Sequence, residues 1–267
     1  MPDQVKIIKP TIGGHDGLSF RELLDLWSER GLCKIQDGPS TRSSGYGCDP
    51  DSPEAKCWMN GMGDILLYDF PILDRLRHDY NMCLFSNTYL EGEKNKKWVF
   101  WPWRSRIFHD LKNDLRKDYE SRDHDIGFIG SPTNDYRNRL APSWSEACDS
   151  FHFSGGKIDH AAYLNRCSGF KFGLCLRGVG PKCLRDVEYM GMGTVPIFTP
   201  GVSTEYYDPP IKDIHYIEIE SAQEAKSIIE RVDKNKWEDM SAACIEWFEK
   251  NCSIEGSFKT TMEIING

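Results

Sequence analysis

An arginine and a glutamate in the second half of the chain have the residue types that a bound nucleotide requires. Arg185 and Glu188 are three positions apart in a segment that predicts a helix, so their side chains project from the same side. The turn before this helix, RGVGP, starts at Arg177 and contains Gly178 and Gly180. Glycines let backbone N–H groups approach an anion closely, and a helix N-terminus favours phosphate. Arginine suits phosphate and a carboxylate accepts ribose hydroxyls, so the pattern predicts a nucleoside-diphosphate site.

Two other interpretations of this stretch are open. Arg185 and Glu188 could form an exposed ion pair on an amphipathic helix, which is a common and weak interaction. The two glycines could open a dinucleotide-binding fingerprint, but its third glycine would fall at Cys183. The glycine turn before the helix and the segment GTVPI after it favour the nucleoside-diphosphate site.

A second possible contact with the nucleotide follows the apolar run Ile126–Ile129. Gly130 and Ser131 could supply an N–H group and a hydroxyl there, and an ordinary strand-ending turn explains them equally well. Arg137 and Arg139 open the next predicted helix. One of them could reach a phosphate, or both could lie on a solvated helix face.

The elements that position these residues follow from alternating apolar and helix-period segments. Strands are predicted over Val5–Ile8, Ile65–Tyr68, Met82–Phe85, Ile126–Ile129, Ser150–Phe153, Phe172–Leu176, Val195–Phe198 and Tyr216–Ile219. Helices are predicted over Phe20–Glu29, Pro71–His78, Ser105–Lys117, Tyr136–Ala147, His160–Cys167, Lys182–Met192, Ala222–Val232, Lys236–Lys250 and Ser253–Ile265. This alternation predicts an α/β fold with parallel sheets.

The segment 94–104, KNKKWVFWPWR, is predicted to connect two α/β domains, residues 1–104 and 105–267. We expect a cleft between the domains. We assign the C-terminal helices to the second domain, from which they could reach back across the cleft. Open α/β sheets bind ligands at the carboxyl ends of their strands, which is where the predicted binding residues lie.

Composition narrows the class of protein. The formal net charge is -8, so the chain lacks a general attraction for nucleic acid or anionic lipid. Its ten cysteines form no C-x-x-C pair. The first residues, MPDQVKIIKP, are not an apolar signal segment, and no apolar run approaches the ~20 residues of a membrane span. We therefore expect a soluble cytoplasmic protein with free thiols.

The second half of the chain resembles the C-terminal, donor-binding domain of GT-B glycosyltransferases, and especially the exostosin-like family. The resemblance covers residues 125–200 and rests on the segments IGFIGS, GLCLRG and RDVEYMGMGTVPI. The family pattern is a strand, a glycine turn, an R-x-x-E helix and G-x-V-P-V-I. Thr194 and Ile197 are conservative departures from it. Tyr189 replaces a small residue that the family usually has, a difference that bears on how the nucleotide packs.

The resemblance implies two Rossmann-like domains facing a cleft and gives the site residues their roles. Arg185 would contact the donor phosphates and Glu188 the ribose hydroxyls. The other implied donor-binding residues are Arg177, Gly178, Gly180, Gly130 and Ser131.

The implied reaction moves a sugar from a UDP-sugar to a hydroxyl of a glycan or glycoprotein. Exostosin-like relatives include both inverting and retaining enzymes, and we favour inversion because a base for direct displacement is the simpler requirement. The short chain is also similar to the small glycosyltransferases of giant algal viruses (chloroviruses), which build capsid glycans. That similarity implies UDP-xylose as a donor and the host cytoplasm as the location. No metal or other cofactor is implied. The motif Asp49-Pro50-Asp51 matches the metal-binding D-x-D of the GT-A fold, but SSGYGC precedes it instead of an apolar strand, so we predict a turn.

Such a transfer needs a base for the proton of the acceptor hydroxyl, and GT-B enzymes commonly take it from the N-terminal domain. A glycine loop over residues 11–17 follows the first predicted strand, so His15 and Asp16 are candidates. Asp69, after another predicted strand, is the third. Helix capping or a turn is the alternative role of each.

Two other functions remain open from the sequence. A glycan- or nucleotide-binding module without catalysis would keep Arg185 and Glu188 but lack a working base. A sugar-nucleotide epimerase on the same fold would change the free donor with no acceptor present.

Overall fold

The chain divides into two compact units. The computed structural model describes residues 5–9, 15–37, 57–61, 82–86, 98–100, 105–132, 135–178, 183–204 and 206–266. The first unit comprises residues 1–106, 205–207 and 250–267, and the second comprises 107–204 and 208–249. The C-terminal end of the chain thus belongs to the first unit, whereas the sequence analysis assigned it to the second domain.

The described part of the first unit forms two parallel sheets. Strands β1 (Val5–Lys9) and β2 (Cys33–Asp37) pair with each other on either side of helix α1 (His15–Glu29) in the chain. Strands β3 (Cys57–Gly61), β4 (Met82–Ser86) and β5 (Trp98–Phe100) form the other sheet, in that order. Strands β2, β3 and β5 are not among the strands predicted from the sequence. These strands have three to five residues each, which is too short for a clear period-2 pattern.

Helix α1 begins at His15, five residues before its predicted start at Phe20. The prediction of a loop through Gly17 is therefore wrong for His15, Asp16 and Gly17. The N–H groups of a first helical turn have no partner within the helix, so glycine is tolerated there, and an aspartate complements the dipole.

The last helix, α8 (Ile254–Asn266), packs against α1 in the first unit. The indole Nε1 of the buried Trp27 donates to Ser257 Oγ over 3.0 Å. The Trp27 and Phe258 rings meet edge to face, with centroids 5.4 Å apart. Through these contacts, the C-terminal helix α8 packs on α1 in the first unit.

Among its described residues, the second unit has a five-stranded sheet whose paired strands are all parallel. Its strands are β6 (His124–Gly130), β7 (Ser150–Phe153), β8 (Phe170–Cys175), β9 (Val195–Phe198) and β10 (Ile217–Glu218). The helices are α2 (Arg106–Leu111), α3 (Asp135–Ser145), α4 (His160–Cys167), α5 (Leu184–Met192), α6 (Ala222–Ile229) and α7 (Lys234–Asn251). The predicted mixed α/β class with parallel sheets is confirmed. Across the described residues, no helix is long and apolar enough to cross a membrane.

The strand order of this sheet is β10-β9-β8-β6-β7. Counted along the chain, this is the doubly wound order 2-1-3-4-5. From β6 the chain goes to β7 on one side of the sheet, and later strands are added on the other side of β6. The connections that leave β6 and β8 therefore diverge and leave a crevice at the carboxyl ends of these two neighbouring strands.

The core of the second unit lies between the apolar faces of the sheet and its helices. Every residue of β9 is buried, as are all residues of β8 except Lys171. Buried aromatic rings lie directly against glycines of the strands. A Cβ added at Gly127 would come within 2.2 Å of the Phe170 ring, and one at Gly173 within 2.3 Å of the Tyr189 ring. Side chains at these two positions would displace the rings.

Helix α5 is held at both ends. At its start, Asp186 accepts a hydrogen bond from the backbone N–H of Cys183 over 2.9 Å. At its end, Gly193 adopts the left-handed conformation with φ of 71°, which favours glycine and completes the helix cap. All residues from Arg185 to Met192 are buried. Even the charged side chains of this helix are therefore surrounded by protein and not by solvent.

Candidate functional site

The crevice between β6 and β8 brings together several of the predicted donor-binding residues. Gly130 ends β6 and Ser131 follows it, while Arg177 and Gly178 follow β8. Gly180 lies outside the described residues. Because parallel strands end at the same edge, the two groups lie on neighbouring strand ends at the point where an open α/β sheet binds ligands.

Arg185 is buried beside this crevice, with 8% of its surface exposed. Its guanidinium Cζ lies 4.6 Å from the centroid of the Phe128 ring. Its Nε and Nη1 are buried and have no hydrogen-bond partner within the described part of the chain. The interpretation of Arg185 and Glu188 as an exposed ion pair is therefore wrong.

Arg185 keeps its positive charge in these surroundings. Burial by itself lowers the pKa of Arg185, but the nearby Tyr163, Tyr189, Cys183 and Asp186 outweigh burial and hold its pKa above the ordinary value. The first turn of a helix adds a positive dipole end. The result is a buried cation whose donors are available to an anion.

Glu188 is 4% exposed and bonds to helix α4. Its Oε2 accepts a hydrogen bond from the Tyr163 hydroxyl over 3.1 Å, and its Oε1 lies 3.5 Å from His160 Nε2. Burial raises the pKa of Tyr163 well above its ordinary value, so this phenol remains a donor at neutral pH. The sequence analysis missed both partners. Their spacing of three residues at the start of a helix that follows a strand was the available signal.

Arg137 has a structural role that the sequence analysis did not predict. It is 5% exposed, so the solvated-face interpretation is wrong for it, whereas Arg139 is exposed. Its guanidinium donates to the carbonyls of Ser131 at 3.3 Å, Leu176 at 3.2 Å and Arg177 at 3.2 Å. Burial, followed by the charge of Arg185, lowers the pKa of Arg137. Arg137 thus joins the two strand ends and adds a second positive charge near Arg185.

Gly178 is required by packing. A Cβ there would come within 2.8 Å of Cys183 Sγ and 2.9 Å of Arg137 Nη2. Both neighbours belong to the network that ties the start of α5 to the end of β8, because Arg137 Nη2 also donates to Cys183 Sγ over 3.4 Å. Gly178 is therefore closely packed on its protein side.

Arg177 lies over an aromatic ring at the same edge. Its Cζ is 5.6 Å from the centroid of the Tyr136 ring, and the Tyr136 hydroxyl donates to the Pro200 carbonyl over 2.7 Å. Pro200 follows β9, so the segments after β8 and β9 meet the start of α3 here. Half-buried Arg177 provides a further cation at the edge.

Tyr189 lies in the core. Its ring is fully buried against Gly173 of β8, and the missing Cβ of that glycine provides the room. The large side chain faces the sheet, and its effect on the packing of a nucleotide stays a prediction.

The candidate bases lie in the first unit or outside the described residues. His15 and Asp16 are the first two residues of α1. Asp69 and the Asp49-Pro50-Asp51 motif lie outside the described part. Among the described His, Cys, Asp and Glu side chains, no group of three or more could hold a metal ion. The base and the metal independence of the reaction stay predictions.

Known structures resemble this chain in fold, at low sequence identity. No family model and no curated protein sequence matches the chain. A glycosyltransferase from Rickettsia africae ESF-5 has a similar structure, with a TM-score of 0.45 and 9% identity, covering 95% of this chain and 87% of that one. The catalytic domain of starch synthase IV from Arabidopsis thaliana, bound to ADP and acarbose, has a TM-score of 0.38 and 14% identity. That match covers 98% of this chain and 55% of the starch synthase chain, a little over half its length.

Proposed function

We propose that this chain is a glycosyltransferase that binds the nucleotide part of a UDP-sugar at the crevice between β6 and β8. One observation carries the proposal. Arg185 is a buried cation with two N–H-bearing nitrogens, Nε and Nη1, that have no partner within the described residues, and it lies in the first turn of a helix at a sheet switch point.

The energetics favour an anionic ligand at this place. Each unsatisfied buried donor costs about 1–3 kcal/mol, and two like charges that lie close together repel each other. Arg137 lies near enough for the charge of Arg185 to lower its pKa. A diphosphate would offset both costs, because its oxygens match the fork of a guanidinium.

The carboxylate of Glu188 provides the second half of the grip. A carboxylate has about four acceptor positions, so it can accept ribose O–H groups in addition to its contact with Tyr163. Arg185 would thus hold the phosphates and Glu188 the ribose, from neighbouring turns of one helix. The backbone N–H groups near Gly130 and Gly178 would complete the donor site.

The proposed reaction is a direct displacement with inversion. An acceptor hydroxyl oxygen of a glycan attacks the anomeric carbon, the bond to the β-phosphate oxygen breaks, and UDP leaves. A base takes the hydroxyl proton; His15, Asp16 and Asp69 are the candidates. Arg185 and the N-terminus of α5 would stabilise the charge that develops on the diphosphate, without a metal.

The finer assignments extend the proposal. The resemblance to exostosin-like enzymes and to small viral glycosyltransferases supports a pentose donor such as UDP-xylose. It also supports an acceptor on a capsid glycan, with the reaction in the host cytoplasm. These assignments rest on the sequence segments that carry the resemblance.

Calorimetric titration with UDP tests the binding site. Arg185→Met removes the charge while keeping much of the volume, and Arg139→Met is the matched control because Arg139 is exposed on α3. A lost charged hydrogen bond is worth about 1.5–3 kcal/mol, so we expect Kd to rise by roughly 10- to 100-fold in Arg185→Met. An equal Kd for Arg185→Met and the wild type would contradict the proposed site.

Incubation with UDP-sugars and an array of glycan acceptors tests the reaction. Transfer to a glycan supports the proposed enzyme. UDP binding without hydrolysis or transfer would indicate a binding module, and isomerisation of the free donor without acceptor would indicate an epimerase.

A further inference from the structure

Helix α4 makes specific contacts with both oxygens of the Glu188 carboxylate. The Tyr163 hydroxyl donates to Oε2 over 3.1 Å, and His160 Nε2 lies 3.5 Å from Oε1. His160 and Tyr163 are three residues apart, and their ring centroids are 5.9 Å apart. One face of the short helix α4 thus contacts the carboxylate of Glu188, which lies 25 residues after Tyr163 in the chain.

We propose that Tyr163 and His160 are positioning residues that orient the Glu188 carboxylate so that the site selects nucleotides with ribose hydroxyls. This inference rests on the proposed function and deepens it. It adds two residues and a discrimination between sugars to the donor site.

The need for positioning follows from the side chain itself. The terminal torsion of glutamate is soft and has a broad, roughly two-fold distribution, so the carboxylate plane is not fixed by its own chain. Contacts to different oxygens of the same carboxylate fix that plane. Hydrogen bonds to two ribose hydroxyls depend on this orientation, whereas attraction to the diphosphate does not.

The buried carboxylate of Glu188 has two half-buried neighbours on α4. Glu188 is 4% exposed, Tyr163 is half-buried, and the side chain of His160 is 39% exposed. Burial raises the pKa of Tyr163, so its hydroxyl donates throughout the neutral range. Tyr163 therefore provides the constant contact, and His160 flanks the carboxylate on the side that reaches solvent.

The test compares UDP with its 2′,3′-dideoxy analogue, which lacks both ribose hydroxyls. We expect the wild type to bind UDP at least about 10-fold more tightly, because buried polar groups left unpaired reject an analogue without hydroxyls. In Tyr163→Phe, affinity for UDP falls and affinity for the dideoxy analogue does not, so the ratio of the two Kd values falls roughly 3- to 10-fold. A merely structural role would weaken both ligands together.

Control variants make the outcome decisive. Tyr119→Phe removes a hydroxyl from a ring that packs on Trp237 and Lys171 near the start of β8, so we expect an unchanged ratio. Glu188→Gln keeps only one acceptor oxygen, so we expect it to lower the ratio at least as much as Tyr163→Phe. His160→Asn is expected to lower the ratio less than Tyr163→Phe, and it provides an independent test at a partly exposed residue.

The inference and the proposed function fail in different ways. A wild type that does not bind UDP overturns both. A wild type that selects UDP, loses selection in Glu188→Gln and keeps it in both Tyr163→Phe and His160→Asn overturns only the role of α4.

Discussion

The guanidinium of Arg185 occupies space that a side chain at Gly130 would need. A Cβ at Gly130 would come within 3.0 Å of Arg185 Nη2 and 2.5 Å of the Phe128 ring. Phe128 is the surface on which the guanidinium lies, with 4.6 Å between Cζ and the ring centroid. The glycine at the end of β6 and the arginine of α5 are therefore one structural feature.

Gly130→Ala should displace Arg185 and weaken the binding of UDP. The added methyl group must move the Phe128 ring or the guanidinium, and a misplaced bidentate contact loses about 1–3 kcal/mol, or roughly 5- to 100-fold in Kd. Calorimetry measures the change. Gly155→Ala is the control, because nothing lies within 4 Å of a Cβ there. Equal affinities of the two variants would show that Gly130 is not coupled to the site.

Arg137→Met should destabilise the second unit. The carbonyls of Ser131, Leu176 and Arg177 each lose a donor. The bond to the Leu176 carbonyl is buried and the other two are partly buried, and an unsatisfied buried acceptor costs about 1–3 kcal/mol before relaxation. We expect a loss of about 2–4 kcal/mol in urea unfolding. Arg139→Met, at an exposed position on the same helix, should change stability by less than about 0.5 kcal/mol. Similar losses for the two variants would argue against the network around Arg137.

Gly173 and Tyr189 should show strong energetic coupling. Gly173→Ala places a Cβ within 2.3 Å of the Tyr189 ring, and overpacking of this kind costs about 1–3 kcal/mol. In a Tyr189→Leu background the ring is absent, so the same alanine should cost at least about 1 kcal/mol less. Urea unfolding of the wild type, the two single variants and the double variant gives the coupling energy as a double-mutant cycle. Additive losses would mean that the ring and the glycine do not share space.

Much of the second unit was predictable because its signals are local. The observed bounds of β7, α4 and β9 are identical to the predicted ones. Apolar runs and helix periodicity, which identify such elements, are properties of short stretches of sequence. The pairing of β6 with both β7 and β8 was not predictable. Strand order depends on long-range hydrogen bonds, which leave no mark on local periodicity.

The site was predictable only in part for the same reason. Arg185 and Glu188 lie three residues apart on one helix, so their spacing in the sequence indicated that they belong to one site. Tyr163 belongs to another helix, and only the folded chain brings it to Glu188. Arg137 looked the same as its exposed neighbour Arg139 because an arginine's sequence context does not indicate which carbonyls it will reach.

Glu249 should make stability depend on pH in the acid range. Lys112 and Arg116 both pair with its carboxylate in the second unit. Burial raises the pKa of Glu249, but hydrogen bonds from Lys112 and Arg116 outweigh burial, so its pKa lies below the ordinary value of 4.5. A folded-state pKa below the unfolded one stabilises the fold above about pH 4.5, and that stabilisation is lost as pH falls through the folded-state pKa.

Glu249→Gln should therefore destabilise the protein at pH 7 by about 1 kcal/mol, the range of a partly exposed charge network. The difference from the wild type should shrink as pH falls below 4.5, because protonation then removes the same charge from the wild type. Urea unfolding across pH 3–7 measures it. Glu120→Gln breaks an exposed pair with Lys234 and should change little at any pH. If the loss in Glu249→Gln were as large in acid as at neutral pH, its cause would be lost packing, because the ion pairs would already have been removed by protonation.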